Sequence, residues 1–239
     1  MERSVKLAMY GLQDETEEIN ARAVRAVRAA VGDRACVYGS VGPCGLMLEP
    51  YGEAEPDAVR SSFMRQIRAL VAEGIDSLCI ETMMDLQECR LAIEAARAVS
   101  GTLPILATMT FDRTPRGFFT IMGVDVPTAA AGLAAAGADV IGSNCGSGIE
   151  PMIEIARAFA ACATRPLIFQ PNAGLPRSAG GRTVYDETPE FMADKSRHLI
   201  EAGAAILGGC CGTTPDHIRA LRRVVDDVLR EGTESLPPS

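Results

Sequence analysis

Short apolar runs alternate with long helical patterns from one end of this 239-residue chain to the other. That rhythm narrows the fold more than any single motif does. Strands are predicted over 35–41 (ACVYGSV), 77–81 (SLCIE), 104–109 (PILATM), 138–142 (ADVIG), 166–170 (PLIFQ) and 204–208 (AAILG). None of them alternates polar with apolar residues, the pattern expected of parallel strands covered on both faces. Helices are predicted between them, near 14–31, 56–73, 85–99, 125–136, 149–163, 188–202 and 214–230. Thr188-Pro189 and Thr214-Pro215 each place a capping residue before a proline at the first helical position. Gly74, Gly137 and Gly203 fall between a helix and the next strand, where C-terminal caps belong. Alternation of this kind means parallel α/β, either an open doubly wound sheet or a (β/α)8 barrel.

No GxGxxG or Walker pattern follows a strand, which weakens the nucleotide-binding form of the open sheet. The unusual residues gather just past strand ends: Gly42-Pro43, Glu81, Thr110, Asn144-Cys145, Asn172 and Cys210-Cys211. Barrel enzymes draw their chemistry from the C-terminal ends of several strands, so a TIM-type (β/α)8 barrel is the expected fold. Six strands are visible where a closed barrel has eight. One domain is expected over 1–232, followed by a polar tail at 233–239. A hydrophobic content of 47% supports a substantial core. The net charge of −8, with arginines scattered along helices, argues against a nucleic-acid partner. No apolar run approaches membrane-spanning length and no signal-peptide core follows the N-terminus, so a cytoplasmic protein without a membrane partner is expected.

Eight cysteines are present and no CxxC. Zinc-ribbon and thioredoxin readings therefore fail. Cys36, Cys79 and Cys162 lie in or beside apolar runs and read as buried small hydrophobes; Cys44 and Cys89 stay unassigned. Cys145 in GSNCG and the pair Cys210-Cys211 in GGCCG remain. Adjacent side chains on a strand point to opposite faces, so two neighbouring thiols share a task only if the backbone leaves strand geometry, which the flanking glycines permit. Three thiolates with one open position make a plausible catalytic zinc site. Such a centre carries a net charge of about −1, making it a weak polariser of carbonyls but able to stabilise a substrate thiolate. Two readings stay open beside it: buried thiols at a tight turn, and a vicinal disulfide or redox switch. His217 reads as a capping or surface residue. Asn144 reads either as support for the neighbouring cysteine or as a left-handed turn residue.

The segments GGCCGTTPDHI (208–218), GSNCG (142–146), FQPNAGLP (169–176), VYGSVGPCG (37–45) and CIETMMDLQECRLAIEA (79–95) resemble, in order, the motifs of zinc-dependent homocysteine S-methyltransferases. The stretch 171–193 is most similar to the homocysteine-binding module of cobalamin-dependent methionine synthase. The resemblance implies a (β/α)8 barrel, Cys145, Cys210 and Cys211 as ligands of Zn2+, and homocysteine sulfur as the fourth ligand. It implies that Glu81 holds the substrate's amino group; Gly42 and Asn144 read as lying near the substrate, and Asn172 reads equally as a substrate contact or as turn chemistry of the mouth loop. It also implies methyl transfer to homocysteine, forming methionine; the donor stays open, and methylcobalamin in that role arrives on a separate corrinoid protein. Family members begin with two further βα units, which this chain does not show. A truncated gene model, a partner that supplies the missing units, or contacts between copies covering the open barrel is expected. The alternatives are a non-catalytic zinc-binding subunit of a corrinoid methyltransferase system, and a methyltransferase for another small thiol or selenol.

Overall fold

The structure is a computed structural model that describes residues 5–234. Its elements run α1 (Val5–Ala8), a 3-10 turn (Gln13–Glu15), α2 (Thr16–Val31), β1 (Tyr38–Val41), α3 (Pro56–Ala72), β2 (Ser77–Met83), α4 (Leu86–Val99) and β3 (Ile105–Met109). There follow β4 (Asp112–Thr114), β5 (Gly117–Phe119), α5 (Val126–Ala136), β6 (Val140–Cys145), α6 (Ile149–Ala160) and β7 (Leu167–Pro171). The last are β8 (Arg177–Ala179), β9 (Arg182–Val184), α7 (Pro189–Glu201), β10 (Ala204–Leu207) and α8 (Pro215–Glu234). All six predicted strands form, and they build one sheet in the order β1-β2-β3-β6-β7-β10. β1 with β2, β2 with β3 and β7 with β10 pair in parallel, for example Tyr38↔Ser77 and Leu78↔Ile105. The architecture is α/β with a six-stranded parallel sheet. Of the predicted tail, residues 235–239 lie outside the described residues. No helix among the described residues is long and apolar enough to cross a membrane.

The chain forms two compact units. One takes the residues through Met109 together with Ala131–Ile141; the other takes Thr110–Ala130 and Gly142 onward. In the first unit, β3 is buried along its whole length and α4 lays Cys89, Ala92, Ile93, Ala95 and Ala96 into the core. The same polar buckle occurs twice there, at the N-terminal ends of strands. Arg28, in the last turn of α2, donates to Gly74 O at 2.9 Å and to Asp76 Oδ2 at 2.8 Å, and that carboxylate accepts from Val37 N at 2.6 Å. Arg97, in the last turn of α4, donates to Gly137 O at 2.7 Å and to Asp139 Oδ2 at 2.6 Å, and that carboxylate accepts from Ile105 N at 2.8 Å. Each aspartate thus satisfies a backbone donor that the sheet leaves over.

In the second unit, β7 is fully buried and α6 turns Met152, Ile155, Ala156 and Phe159 inward. Phe111, Phe159 and Phe169 meet edge to face, with centroids 5.9 and 6.0 Å apart. Two antiparallel hairpins, β4–β5 and β8–β9, were not predicted. Their strands are three residues long and mostly exposed, so they carry no apolar run to announce them. Cys79 is buried as expected, and Cys44 and Cys89 prove buried too. Cys36 and Cys162 correct the expectation: both are exposed, Cys36 in the loop between α2 and β1 and Cys162 in the turn just past α6, outside the packed elements.

Candidate metal centre

Two backbone turns in the second unit deliver three sulfurs to one point. β6 ends on Cys145, whose φ is +66°, a left-handed conformation that disfavours any residue with a β-carbon by about 1–2 kcal/mol. β10 ends at Leu207, and Gly208 N donates to Phe169 O at 3.1 Å while Cys210 N donates to Pro171 O at 2.9 Å. The segment therefore stays tied to β7 as it leaves the strand. Thr213 closes the turn from both its N–H (3.3 Å) and its hydroxyl (2.7 Å) onto Cys210 O. A β-carbon at Gly212 would lie 2.2 Å from Cγ of Tyr185, so the ring of Tyr185 packs directly on this turn. The result sets Sγ of Cys210 and Cys211 4.0 Å apart, on one side of the chain.

The sulfurs of Cys145, Cys210 and Cys211 all lie within 4.8 Å of one another. Tetrahedral zinc with Zn–S bonds of about 2.3 Å spaces its sulfurs about 3.8 Å apart, so the three fit the ion with only a small contraction. No other histidine, cysteine or acid joins the cluster among the described residues, which leaves the fourth position open in the manner of reactive zinc sites. The donors are soft, as zinc prefers. Cys145 is held low, at about 5, first by a hydrogen bond from Cys210 and then by Gly146 N–H, Asn172 and Cys211, against the upward pull of burial. Cys210 moves the other way, raised by Cys145 beside it and by desolvation. Elsewhere burial keeps thiols protonated: it pushes Cys44 up to about 12 and raises Cys79 and Cys89 as well.

Two buried asparagines organise the cluster. Asn144 points Nδ2 at Cys210 Sγ, 3.6 Å away, and its carbonyl accepts from Thr110 Oγ1 at 3.1 Å. It supports a sulfur, and the left-handed residue of the pair is Cys145. Asn172 Nδ2 donates to Gly146 O at 2.7 Å, and its Oδ1 accepts from Cys211 N at 2.9 Å. One side chain thus pins the turns that carry Cys145 and Cys211. Tyr185 and Glu187 went unnoticed in the sequence. Burial first, and the charge of Cys211 next, raise the Tyr185 phenol. Glu187 accepts from Ile149 N at 3.1 Å, capping α6, and burial raises its carboxyl. His217 does cap its helix, but it is only 5% exposed, so the surface reading of it is corrected.

Glu81 and Gly42 form a group of their own in the first unit. Ser40 donates its hydroxyl to Glu81, and a β-carbon on Gly42 would come within 3.9 Å of Glu81 O. Thr82, next in the chain, has φ +62°, and the register of β2 against β3 shifts at this point. The loop after β1 is anchored by Glu88, a carboxylate 5% exposed that accepts from Cys44 N at 2.6 Å.

A family model described as homocysteine S-methyltransferase matches residues 2–225. Methionine synthase of Mycobacterium leprae is 29% identical over 92% of this chain and 19% of its own length. Methionine synthase of Mycobacterium tuberculosis is 28% identical over 98% of this chain and 20% of its own length. The chain therefore spans about a fifth of these curated relatives. Among solved structures, the metallated form of the Escherichia coli homocysteine methyltransferase MmuM superposes with a TM-score of 0.71. It is 22% identical over 93% of this chain and 76% of that one, a likeness of fold.

Proposed function

Since the chain belongs to the homocysteine S-methyltransferase family, we propose that it holds zinc on Cys145, Cys210 and Cys211 and presents the homocysteine thiol for methylation to methionine. The observation that carries this reading is the convergence of three sulfurs from two strand ends with a fourth position left open. The bound ion supplies positive charge that keeps a substrate sulfur as thiolate at neutral pH. Everything else falls to the chain. Asn144 directs an amide N–H at Cys210 and Asn172 locks the two cysteine turns, so the sulfurs are already placed before an ion arrives. Glu81 is the carboxylate we assign to the substrate's amino group, with Gly42 beside it. Its orientation by Ser40 and the family resemblance support that role. We assign the donor to methylcobalamin on a separate corrinoid protein, a reading supported by the likeness to methionine synthases, of which this chain is about a fifth.

Metal analysis and thiol binding test the proposal together. Purified reduced protein is expected to contain about one zinc per chain, to lose it in Cys210→Ala, and to release a proton when homocysteine binds. Turnover with methylcobalamin should give methionine. Zinc-free protein under reducing conditions with added zinc would overturn the reading.

A further inference from the structure

His217 lies outside the sulfur cluster, yet it stands at the head of a hydrogen-bond ladder that ends on Cys211. Its Nδ1 accepts from Thr214 N at 3.1 Å and faces Thr214 Oγ1 at 2.9 Å. Its Nε2 faces Glu187 O at 3.0 Å. A carbonyl only accepts, so Nε2 carries the proton, and a backbone N–H only donates, so Nδ1 does not. The neutral Nε2–H tautomer is thereby fixed by its partners. From Glu187 the ladder continues: Glu187 N donates to Ala173 O at 3.0 Å, and Ala173 N donates to Cys211 O at 2.9 Å. Cys211 N in turn donates to Asn172 Oδ1. Both backbone polar groups of Cys211 are thus held by residues 172–173, and that segment is held from behind by Glu187 and His217.

We propose that His217 is a positioning residue for the metal centre, clipping segment 185–188 to the start of α8 so that residues 172–173 hold Cys211 in register with its two companions. The inference rests on the zinc reading above. Helix capping alone does not account for a histidine here. In a capping box, the third helical residue reaches back to the N-cap N–H, and glutamate does that as well or better. What glutamate cannot do is donate to Glu187 O. Glutamine can do both, since an amide accepts and donates as neutral imidazole does.

His217→Glu and His217→Gln therefore separate the two roles. Zinc affinity by competition with a chromophoric chelator should fall about tenfold or more in His217→Glu, the range seen when outer partners of metal ligands are removed. It should be largely retained in His217→Gln. In the metal-free proteins, hydrogen exchange at the amides of Ala173 and Glu187 should quicken in the Glu variant and stay near wild type in the Gln variant. Equal zinc affinity in His217→Glu and wild type would overturn the role of His217, as would equal losses in both variants. Imidazole nitrogen shifts of the wild-type chain give a check that needs no variant, because an Nδ1–H tautomer also overturns it. A wild-type chain that takes up no zinc is a different result. It removes the zinc reading itself, before any variant is compared.

Discussion

Two residues with β-carbons hold left-handed backbone among the described residues, Thr82 and Cys145, and each lies at the C-terminal end of its strand. Strain of this kind persists only where surrounding contacts enforce it, and it gathers at functional sites. Cys145 is enforced by Asn172, which grips Gly146 immediately after it. Glycine has the opposite part at position 212, with φ +79° and the Tyr185 ring where a methyl would go. Gly212→Ala should lose at least about 1–2 kcal/mol from backbone conformation alone, with a further loss as Tyr185 moves, read as a shift of the urea midpoint. It should also weaken zinc binding. Gly45→Ala is the control: φ is +83° but nothing lies within 4 Å, so only the backbone component is expected and zinc affinity should not change. The cysteines themselves were legible, because glycines around an adjacent pair announce a turn. The left-handed state of Cys145 was not, since it is imposed by contacts 27 residues away at Asn172 and carries no local composition. His217 was half legible: Thr-x-x-His reads as a cap, but its second partner is a carbonyl 30 residues earlier.

At the scale of elements, apolar runs foretold the six strands, of which β3 and β7 are buried along their whole length, whereas the hairpin strands are short and mostly exposed. The β8–β9 turn did leave a signal. Gly180 and Gly181 sit at φ +57° and +75° between paired strands, and a Gly-Gly pair between short runs marks a two-residue hairpin loop. The Arg–Asp buckles left none, because each joins a helix end to the start of a strand 48 or 42 residues further along the chain. They carry a pH prediction. Val37 N–H first, and Arg28 next, hold the Asp76 carboxyl below its usual range. A depressed carboxylate contributes stability above its unfolded value, roughly 3.9, and loses it as pH falls through the lower folded value. Asp76→Asn should thus be less stable than wild type at pH 7, and the gap should close in acid, measured by urea titration from pH 7 to pH 2. β6 and β7 make a sharper case. A β-carbon at Gly142 would lie 1.8 Å from Ile168 O, and a backbone carbonyl in a buried strand cannot step aside. Gly142→Ala should lower soluble yield severely. Phe159→Ala removes the middle ring of the aromatic trio and should cost about 3–5 kcal/mol, read from the same urea curves.

At the scale of the whole molecule, the order of strands and motifs was readable because a βα repeat writes itself linearly into the chain. Membership of the homocysteine S-methyltransferase family agrees with that reading. Metal removal offers the global test. Zinc that binds only the folded chain stabilises it by about 2.7 kcal/mol at a hundredfold excess over Kd. Chelation should therefore lower the calorimetric midpoint, and restoring zinc should return it. A midpoint indifferent to zinc contradicts a folded-state site. The two Arg–Asp buckles sit at strand beginnings, while the left-handed residues, the paired cysteines and Glu81 sit at strand ends. The polar pairs that tie helix ends to the sheet and the strained backbone that shapes the thiol turns are thus kept at opposite ends of the strands, so a substitution among the buckles can be read for stability without touching the turns.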